Sequence, residues 1–203
     1  MSIITNGALG GHLLPKLTER FKLSFDKLNL KIIIETDDYS SITNLFENNT
    51  CDIGVIPYNI STPFTDLVFT FEQRISIVAN KKISISSYQD LEKLNLVLLP
   101  KSFFVRKTLD DFFLKNNISP NIIMELNYPY VIKELIKNEN FVTILHYATV
   151  KEEIKRGELI EIIPSFKLPF ITYKLVVNQK STKKKYLNEI ISFLAILKND
   201  FVS

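Results

Sequence analysis

The sequence has 203 residues, of which 46% are hydrophobic and 23% charged, and its formal net charge is +3. This balance is that of a globular protein and excludes an intrinsically disordered chain. Acidic and basic residues are interspersed, so the small net charge does not favour nucleic-acid binding by this part of a protein.

The composition also bears on redox chemistry, metals and location. One cysteine, Cys51, excludes an internal disulfide, and its apolar surroundings predict a small buried hydrophobic residue. Two histidines far apart in sequence do not indicate a metal site, and no cofactor is predicted. The first residues lack the pattern of a signal peptide, and no apolar run is long enough to cross a bilayer. We therefore expect a cytoplasmic protein with no membrane association.

The first third of the chain alternates predicted strands and helices. Leu13, Leu17 and Phe21 recur at helical spacing, and Pro15 falls in the first turn of the helix that they predict. The predicted elements are a strand at 2–5, a glycine-bearing turn at 6–11, a helix at about 12–24, a strand at 30–35, a helix at about 40–48 and a strand at 51–56.

The pattern then restarts after a long β-prone stretch. Ser87 predicts the start of a short helical segment, and Gly157 predicts the end of the helix at 151–156. The predicted elements are strands at 69–80, 96–99, 122–126, 141–145, 159–163 and 172–178, a short capped segment at 87–94, and helices at 102–115, 130–137, 151–156 and 184–197.

Alternating strands and helices predict parallel sheets in an α/β protein. The alternation gives two lobes, the first ending near Phe69 and the second starting near Asn80, with no Gly/Ser-rich linker between them. We therefore expect a hinge and a cleft. In such sheets ligands bind beyond the carboxyl ends of the strands, where helices begin.

Several phrases agree in order with those of one known family. They are Leu13-Leu14-Pro15 after a glycine turn; Asn44-Leu45-Phe46 followed by Cys51-Asp52-Ile53-Gly54-Val55; Leu98-Leu99-Pro100-Lys101-Ser102 followed by Arg106 and Leu109-Asp110-Asp111-Phe112; and Val150-Lys151-Glu152-Glu153 followed by Gly157-Glu158-Leu159-Ile160. On these residues the chain resembles the effector-binding domain of LysR-type transcriptional regulators over essentially its whole length.

This resemblance implies a periplasmic-binding-protein-like fold: two Rossmann-like lobes with a central cleft, joined by two crossing strands near 74–80 and 141–146. The first lobe would comprise 1–74 and 147–203, and the second 75–146. The resemblance also implies a winged helix-turn-helix domain that precedes this chain and makes the only DNA contacts. It further implies a homodimer or homotetramer in which the first helix meets a second-lobe helix of its partner. The apolar face of Leu13, Leu17 and Phe21 suits this contact. The alternative is that these side chains are buried in the core of the same chain.

The chain departs from the family pattern at places that matter for ligand binding. Gly7 and Ala8 stand where the family often offers hydroxyl groups to the effector. At the second crossing, Glu139 and Phe141 stand at usual glycines, and His146 stands at a usual proline. A known effector therefore cannot be transferred to this chain.

The predicted effector site draws on both lobes. The turn of Asn6, Gly7, Ala8 and Leu9 offers backbone N–H groups at a helix start, although its glycines also suit a simple turn. Each candidate of the second lobe has two interpretations. Ser102 either binds a ligand or caps its helix, and Arg106 either clamps a carboxylate or lies on a solvated helix face. Tyr128 either binds a ligand or packs in the cleft wall. His146 suits an anion contact or a hydrogen-bonded structural position, and Arg74 suits a cleft contact or a surface or hinge position. The predicted effector-binding residues are Asn6, Gly7, Ala8, Leu9, Thr36, Ser102, Phe103, Arg106, Asn127, Tyr128 and His146.

The sequence contains no motif of an enzyme. A nucleophile elbow, a P-loop and a dinucleotide-binding Gly-x-Gly-x-x-Gly are absent, and the spacing of Gly7, Gly10 and Gly11 fits none of them. We therefore expect no catalytic residues and a sensor of a small anionic metabolite, such as a carboxylate. The first alternative is a solute receptor of a transport system. The second, which the sequence favours less, is an enzyme on the same fold.

Overall fold

The computed structural model describes residues 1–21, 31–34, 40–182 and 184–202. The chain divides into two units. Unit 1 consists of Met1–Gln73 and Thr172–Ser203, and unit 2 of Arg74–Ile171. No helix in the described part of the chain is long and apolar enough to cross a membrane.

Unit 1 is built on a sheet whose first strands are parallel, as the strand–helix alternation predicts. Its strands and helices are β1 (Ser2–Thr5), α1 (Gly7–Phe21), β2 (Lys31–Ile34), α2 (Ser40–Glu47), β3 (Ile53–Pro57), the part of β4 (Thr65–Ala79) that ends at Gln73, β9 (Phe170–Asn178) and α6 (Lys184–Val202). β1 pairs in parallel with β2 and β3, and β9 pairs antiparallel with β3.

The two faces of this sheet bury different sets of side chains. Residues paired across neighbouring strands share a face, and successive residues alternate between faces. Ile4, Gly54 and Val176 are therefore on one face, because Ile4 pairs with Gly54 and Gly54 with Val176. A buried cluster covers that face, made of Ile4, Ile42, Phe46, Cys51, Ile56 and Val176. Cys51 is fully buried, which confirms its prediction.

Helix α1 begins earlier than the sequence indicated. The glycine-bearing stretch predicted as a turn forms the first turn of the helix, which starts at Gly7 and not near residue 12. Pro15 consequently lies inside the helix, where a proline typically costs about 3 kcal/mol because it removes a backbone donor and crowds the preceding turn. Burial of Leu9 and Leu17 offsets this local cost.

Burial also bears on the predicted dimer face. Leu17 is 1% exposed, so it belongs to the core of unit 1 and does not lie on an open apolar face. The side chains of Leu13 and Phe21 lie outside the described part of the chain.

Unit 2 has a second sheet in which three strands run parallel. β5 pairs in parallel with β6 and β7, while β4 pairs antiparallel with β7 and β8. A 3₁₀ helix over Tyr88–Lys93 precedes β5. The remaining elements are β5 (Leu96–Leu98), α3 (Phe104–Lys115), β6 (Ile122–Glu125), α4 (Pro129–Asn138), β7 (Val142–His146), α5 (Tyr147–Lys155) and β8 (Ile160–Ile162).

The chain returns to unit 1 later than predicted. The sequence analysis placed the return at residue 147, whereas unit 2 extends to Ile171. The physical reason is that β8, beyond the predicted return, pairs with β4 over Ile77–Ala79. The sequence shows that a strand exists at this position but not which sheet it joins.

Candidate functional site

The predicted site residues of unit 1 follow one edge of its sheet. The carboxyl ends of β1, β2 and β3 meet at this edge because the three strands are parallel. Helix α1 starts there, directly after β1. Thr36, which was predicted to follow β2, lies outside the described residues.

Asn6 caps helix α1. Its side-chain Oδ1 accepts the N–H of Leu9 at 2.8 Å, and its Nδ2 donates to the Tyr173 hydroxyl at 2.7 Å. Both polar ends of the Asn6 amide are thus engaged within the chain, as is the Leu9 N–H, and the Leu9 side chain is fully buried. Asn6 and Leu9 therefore build the helix start, and their role as effector ligands stays a prediction.

Gly7 and Ala8 were predicted to bind the effector through backbone N–H groups at a helix start, and the structure places both residues at such a start. Their N–H groups lie in the first turn of α1, where a helix supplies no acceptor of its own. Gly7 is exposed and has no side chain, so an anion can approach the backbone closely. Their role as effector ligands stays a prediction.

Three side chains at this edge were not predicted. Thr5 is 2% exposed, Gln73 1% exposed and Tyr173 fully buried. The Tyr173 ring stacks on Phe71 with 5.7 Å between ring centroids. A hydroxyl residue at the end of the apolar strand Ser2–Thr5 was an available signal for Thr5. Gln73 lies between Glu72 and Arg74, so the local pattern gave no such signal for it. The Asn6–Tyr173 pair had no such signal, because 167 positions separate the two residues.

The predicted residues of unit 2 also share one edge. β5, β6 and β7 run in the same direction, and α3, α4 and α5 follow them in turn. The structure therefore brings Ser102, Asn127 and His146 to the carboxyl edge of the unit 2 sheet.

Ser102 does not cap helix α3. The residue at the N-cap position is Phe103, and the helix begins at Phe104 with no side-chain cap. Ser102 is exposed in the preceding turn, so the capping alternative for this serine is wrong. Phe103 is half-buried, and its N–H donates to Pro100 O at 3.0 Å.

Arg106 is held by the protein itself. Its side chain is 3% exposed; Nε donates to Asp110 at 2.7 Å, and Nη1 donates to Glu125 at 2.6 Å and to Leu99 O at 3.0 Å. Burial opposes the charged form, but the hydrogen bonds to Asp110 and Glu125 outweigh it and raise the pKa of the guanidinium. The interpretation of Arg106 as a solvated surface residue is therefore wrong. An effector carboxylate bound by Arg106 would have to displace Asp110 or Glu125 from its guanidinium.

The other unit 2 candidates differ in exposure. Asn127 is exposed, and Tyr128 is 69% exposed at the N-cap position of α4. His146 is 6% exposed at the N-cap position of α5. Burial lowers the pKa of His146 to about 4, so its ring is neutral near pH 7 and does not attract an anion by charge.

Arg74 belongs to an ion-pair network of unit 2. Its guanidinium donates to Glu161 and lies 3.4 Å above the centre of the Tyr147 ring. Ser76 also donates to Glu161, at 2.6 Å. These contacts fix Arg74 and Ser76 within unit 2, to which both residues belong. The cleft, surface and hinge alternatives for Arg74 stay predictions.

The helix starts at these edges share an electrostatic feature. Helices α1, α3, α4 and α5 have no acidic residue in their first turns. The partial positive charge of each helix start is therefore not offset by a carboxylate of its own first turn. Such ends favour anionic ligands.

Solved structures of other proteins share this fold. An OxyR mutant from Corynebacterium glutamicum has a TM-score of 0.80 at 13% identity, covering 100% of this chain and 64% of that chain. The Synechocystis CcmR regulatory domain, solved in complex with 2-PG, has a TM-score of 0.74 at 13% identity, covering 95% of this chain and 94% of that chain. At these identities the similarity shows the fold, and it confirms the periplasmic-binding-protein-like architecture.

Comparison of sequences identifies the family. A probable RuBisCO transcriptional regulator of Thalassiosira pseudonana is 25% identical over 205 residues, which is 94% of this chain and 66% of that protein. The chain thus spans slightly less than two thirds of this relative. The model of the LysR substrate binding domain matches residues 2–196. The chain therefore belongs to the LysR substrate binding domain family, the regulatory domain of LysR-type transcriptional regulators.

Proposed function

We propose that this domain senses a small carboxylate and so controls a transcriptional regulator. The observation that carries the proposal is the start of α1: Gly7 is exposed, and no acidic residue occupies the first turn. The N–H groups of Gly7 and Ala8 would bind the carboxylate, with the helix dipole adding favourable charge. Ser102, Asn127 and Tyr128, at the carboxyl edge of the unit 2 sheet, are proposed as effector contacts of that unit.

The regulatory step is differential binding. An effector changes the activity of a regulator only if it binds one of the protein's states more tightly than the other. We propose that effector binding biases a homodimer or homotetramer, and that a domain outside this chain contacts the DNA. Light scattering of the 203-residue chain tests assembly, and a monomer at all concentrations contradicts the dimer for this domain.

The ligand proposal is tested by thermal unfolding with small anions. A ligand at one hundred times its dissociation constant stabilises the folded state by about 2.7 kcal/mol. We expect a rise in the unfolding temperature with at least one of succinate, malate, citrate and inorganic phosphate. No rise with any of them would contradict an anion sensor.

Two charge substitutions locate the site. Gly7→Asp places a carboxylate in the first turn of α1, where it repels a bound anion while stabilising the free helix by about 0.3–1 kcal/mol. Gly11→Asp adds the same charge one turn later at an exposed position with no atom within 4 Å of an added Cβ. We expect anion binding to be lost in Gly7→Asp and retained in Gly11→Asp. Equal affinities in both variants would place the site elsewhere.

A further inference from the structure

One hydrogen bond joins the start of α1 to a strand from the far end of the sequence. Asn6 Nδ2 donates to the Tyr173 hydroxyl at 2.7 Å. Tyr173 is opposite Pro57, the last residue of β3. Asn6 directly follows β1, which pairs in parallel with β3. Both residues are therefore at the carboxyl edge of the unit 1 sheet.

The Asn6 side chain connects this hydrogen bond to the helix start. Its Oδ1 accepts the N–H of Leu9 at 2.8 Å, and its main-chain carbonyl accepts the N–H of Gly10 at 2.8 Å. Asn6 is 9% exposed, so its amide has little access to water. Without the Tyr173 hydroxyl, Nδ2 would lose its acceptor, or the amide would rotate and release the Leu9 N–H. The Tyr173 hydroxyl thus fixes the geometry of the first turn of α1.

Tyr173 also lies where the chain re-enters unit 1. Unit 1 ends at Gln73 in β4 and resumes at Thr172 in β9, so Tyr173 is the second residue after the return. Its ring stacks on Phe71, two residues before Gln73, with 5.7 Å between ring centroids. We call residues 70–75 of β4 and 170–175 of β9 the connecting segments, because the chain passes between the units in them. One side chain therefore links the start of α1 to both connecting segments.

A buried group without a partner marks the connecting segment of β4. Gln73 is 1% exposed, and neither of its side-chain amide atoms has a hydrogen-bond partner within the described part of the chain. Leaving a buried polar group unsatisfied costs stability. We therefore expect this segment to open locally more often than the well-satisfied parts of unit 1, and such opening is measurable by amide hydrogen exchange.

From these contacts we infer that Tyr173 is a positioning residue of the effector site and couples effector binding to the stability of the connecting segments. The inference rests on the proposed carboxylate site at Gly7 and Ala8 and names how that site is regulated. A carboxylate bound there fixes the first turn of α1 and, with it, the capping position of Asn6. The coupling is reciprocal: if the bound anion stabilises the hydrogen bond to Tyr173, that hydrogen bond raises the affinity for the anion by the same factor.

Hydrogen exchange followed by mass spectrometry tests the coupling. The probe is whichever of succinate, malate, citrate and inorganic phosphate raises the unfolding temperature of the wild type most. It is used at about one hundred times the dissociation constant of each variant. We expect it to slow exchange in the connecting segments about fivefold more than in α2, which takes no part in these contacts, as one hydrogen bond provides.

Tyr173→Phe removes the hydroxyl and keeps the stacked ring. In this variant the probe should slow exchange in the connecting segments no more than in α2. Its affinity, measured by isothermal titration, should fall about fivefold, because binding no longer stabilises the hydrogen bond to Asn6. Asn6→Ser keeps a capping oxygen but removes the donor to Tyr173, so it should show the same losses. It keeps the test possible if Tyr173→Phe does not fold, which thermal unfolding shows.

Tyr58→Phe is the matched control. Tyr58 also belongs to unit 1, and it is 54% exposed. Loss of its hydroxyl should leave both the affinity and the protection of the connecting segments as in the wild type.

The outcomes separate this inference from the carboxylate proposal. A purely structural role of Tyr173 would speed exchange in the free protein but leave the effect of the probe on the connecting segments unchanged. That result overturns the inference while the carboxylate sensor stands, and so does an unchanged affinity in Tyr173→Phe. A wild type in which the probe protects the connecting segments no more than α2 overturns it as well. If none of the four anions binds the wild type, the carboxylate sensor fails and the inference with it.

Discussion

Gly54→Ala tests how tightly the core of unit 1 is packed. A Cβ at Gly54 would lie 2.7 Å from Phe46 Cζ and 3.0 Å from Val176 Cγ2. Optimal carbon–carbon contacts are about 3.5–4.0 Å, so a methyl group at Gly54 requires Phe46 to move by close to 1 Å. Phe46 is fully buried, and the displacement must therefore spread to its neighbours.

We expect Gly54→Ala to lower the free energy of unfolding by about 1–3 kcal/mol, the usual cost of overpacking a close-packed core. Urea unfolding followed by circular dichroism measures this change. Phe46→Leu removes the nearest atom, so the double variant should lose less stability than the sum of the two single variants.

Gly11→Ala is the matched control for this prediction. Gly11 is in α1, is exposed, and an added Cβ meets no atom within 4 Å. The same chemical change should here stabilise the protein by about 0.5–1 kcal/mol, because alanine favours the helix over glycine. If Gly54→Ala is as stable as the wild type, the packing argument is refuted.

Three further predictions concern buried polar groups. Because the pKa of His146 falls from 6.5 to about 4 on folding, the unfolded state binds the proton more tightly between these values, and stability should fall as the pH falls. Urea unfolding at pH 7 and pH 5 should show about 2 kcal/mol more loss in the wild type than in His146→Gln, and equal losses would contradict the pKa shift. Burial raises the pKa of the Cys51 thiol to about 12, so a thiol reagent at pH 8 should label it only after unfolding; rapid labelling of the folded chain would show that the site opens. Arg106→Met should lower stability by about 1–3 kcal/mol, since its partners Asp110 and Glu125 are partly solvated, and should leave carboxylate affinity unchanged. A loss of affinity at unchanged stability would instead support the clamp at Arg106.

Local patterns in the sequence were sufficient for much of the fold. The strand at Ser2–Thr5 and the start of the last helix at Lys184 fall where the apolar periodicity places them. Parallel sheets followed from the alternation of strands and helices, and ordered phrases along the chain indicated the family that the comparison confirms. Each of these features depends on neighbours within a few residues, which is the range that sequence patterns report.

The tertiary structure decided what depends on distant contacts. Glycines predicted a turn after β1, but Asn6, held by Tyr173 and capping the Leu9 N–H, begins the helix at Gly7. The pairing of β8 with β4 keeps residues up to Ile171 in unit 2. The sequence alone allows Arg106 to be a surface residue of its helix. Only the fold brings Glu125, from strand β6, into contact with it. Hydrogen bonds and strand pairs between distant residues form only when the chain folds, so no local pattern specifies them.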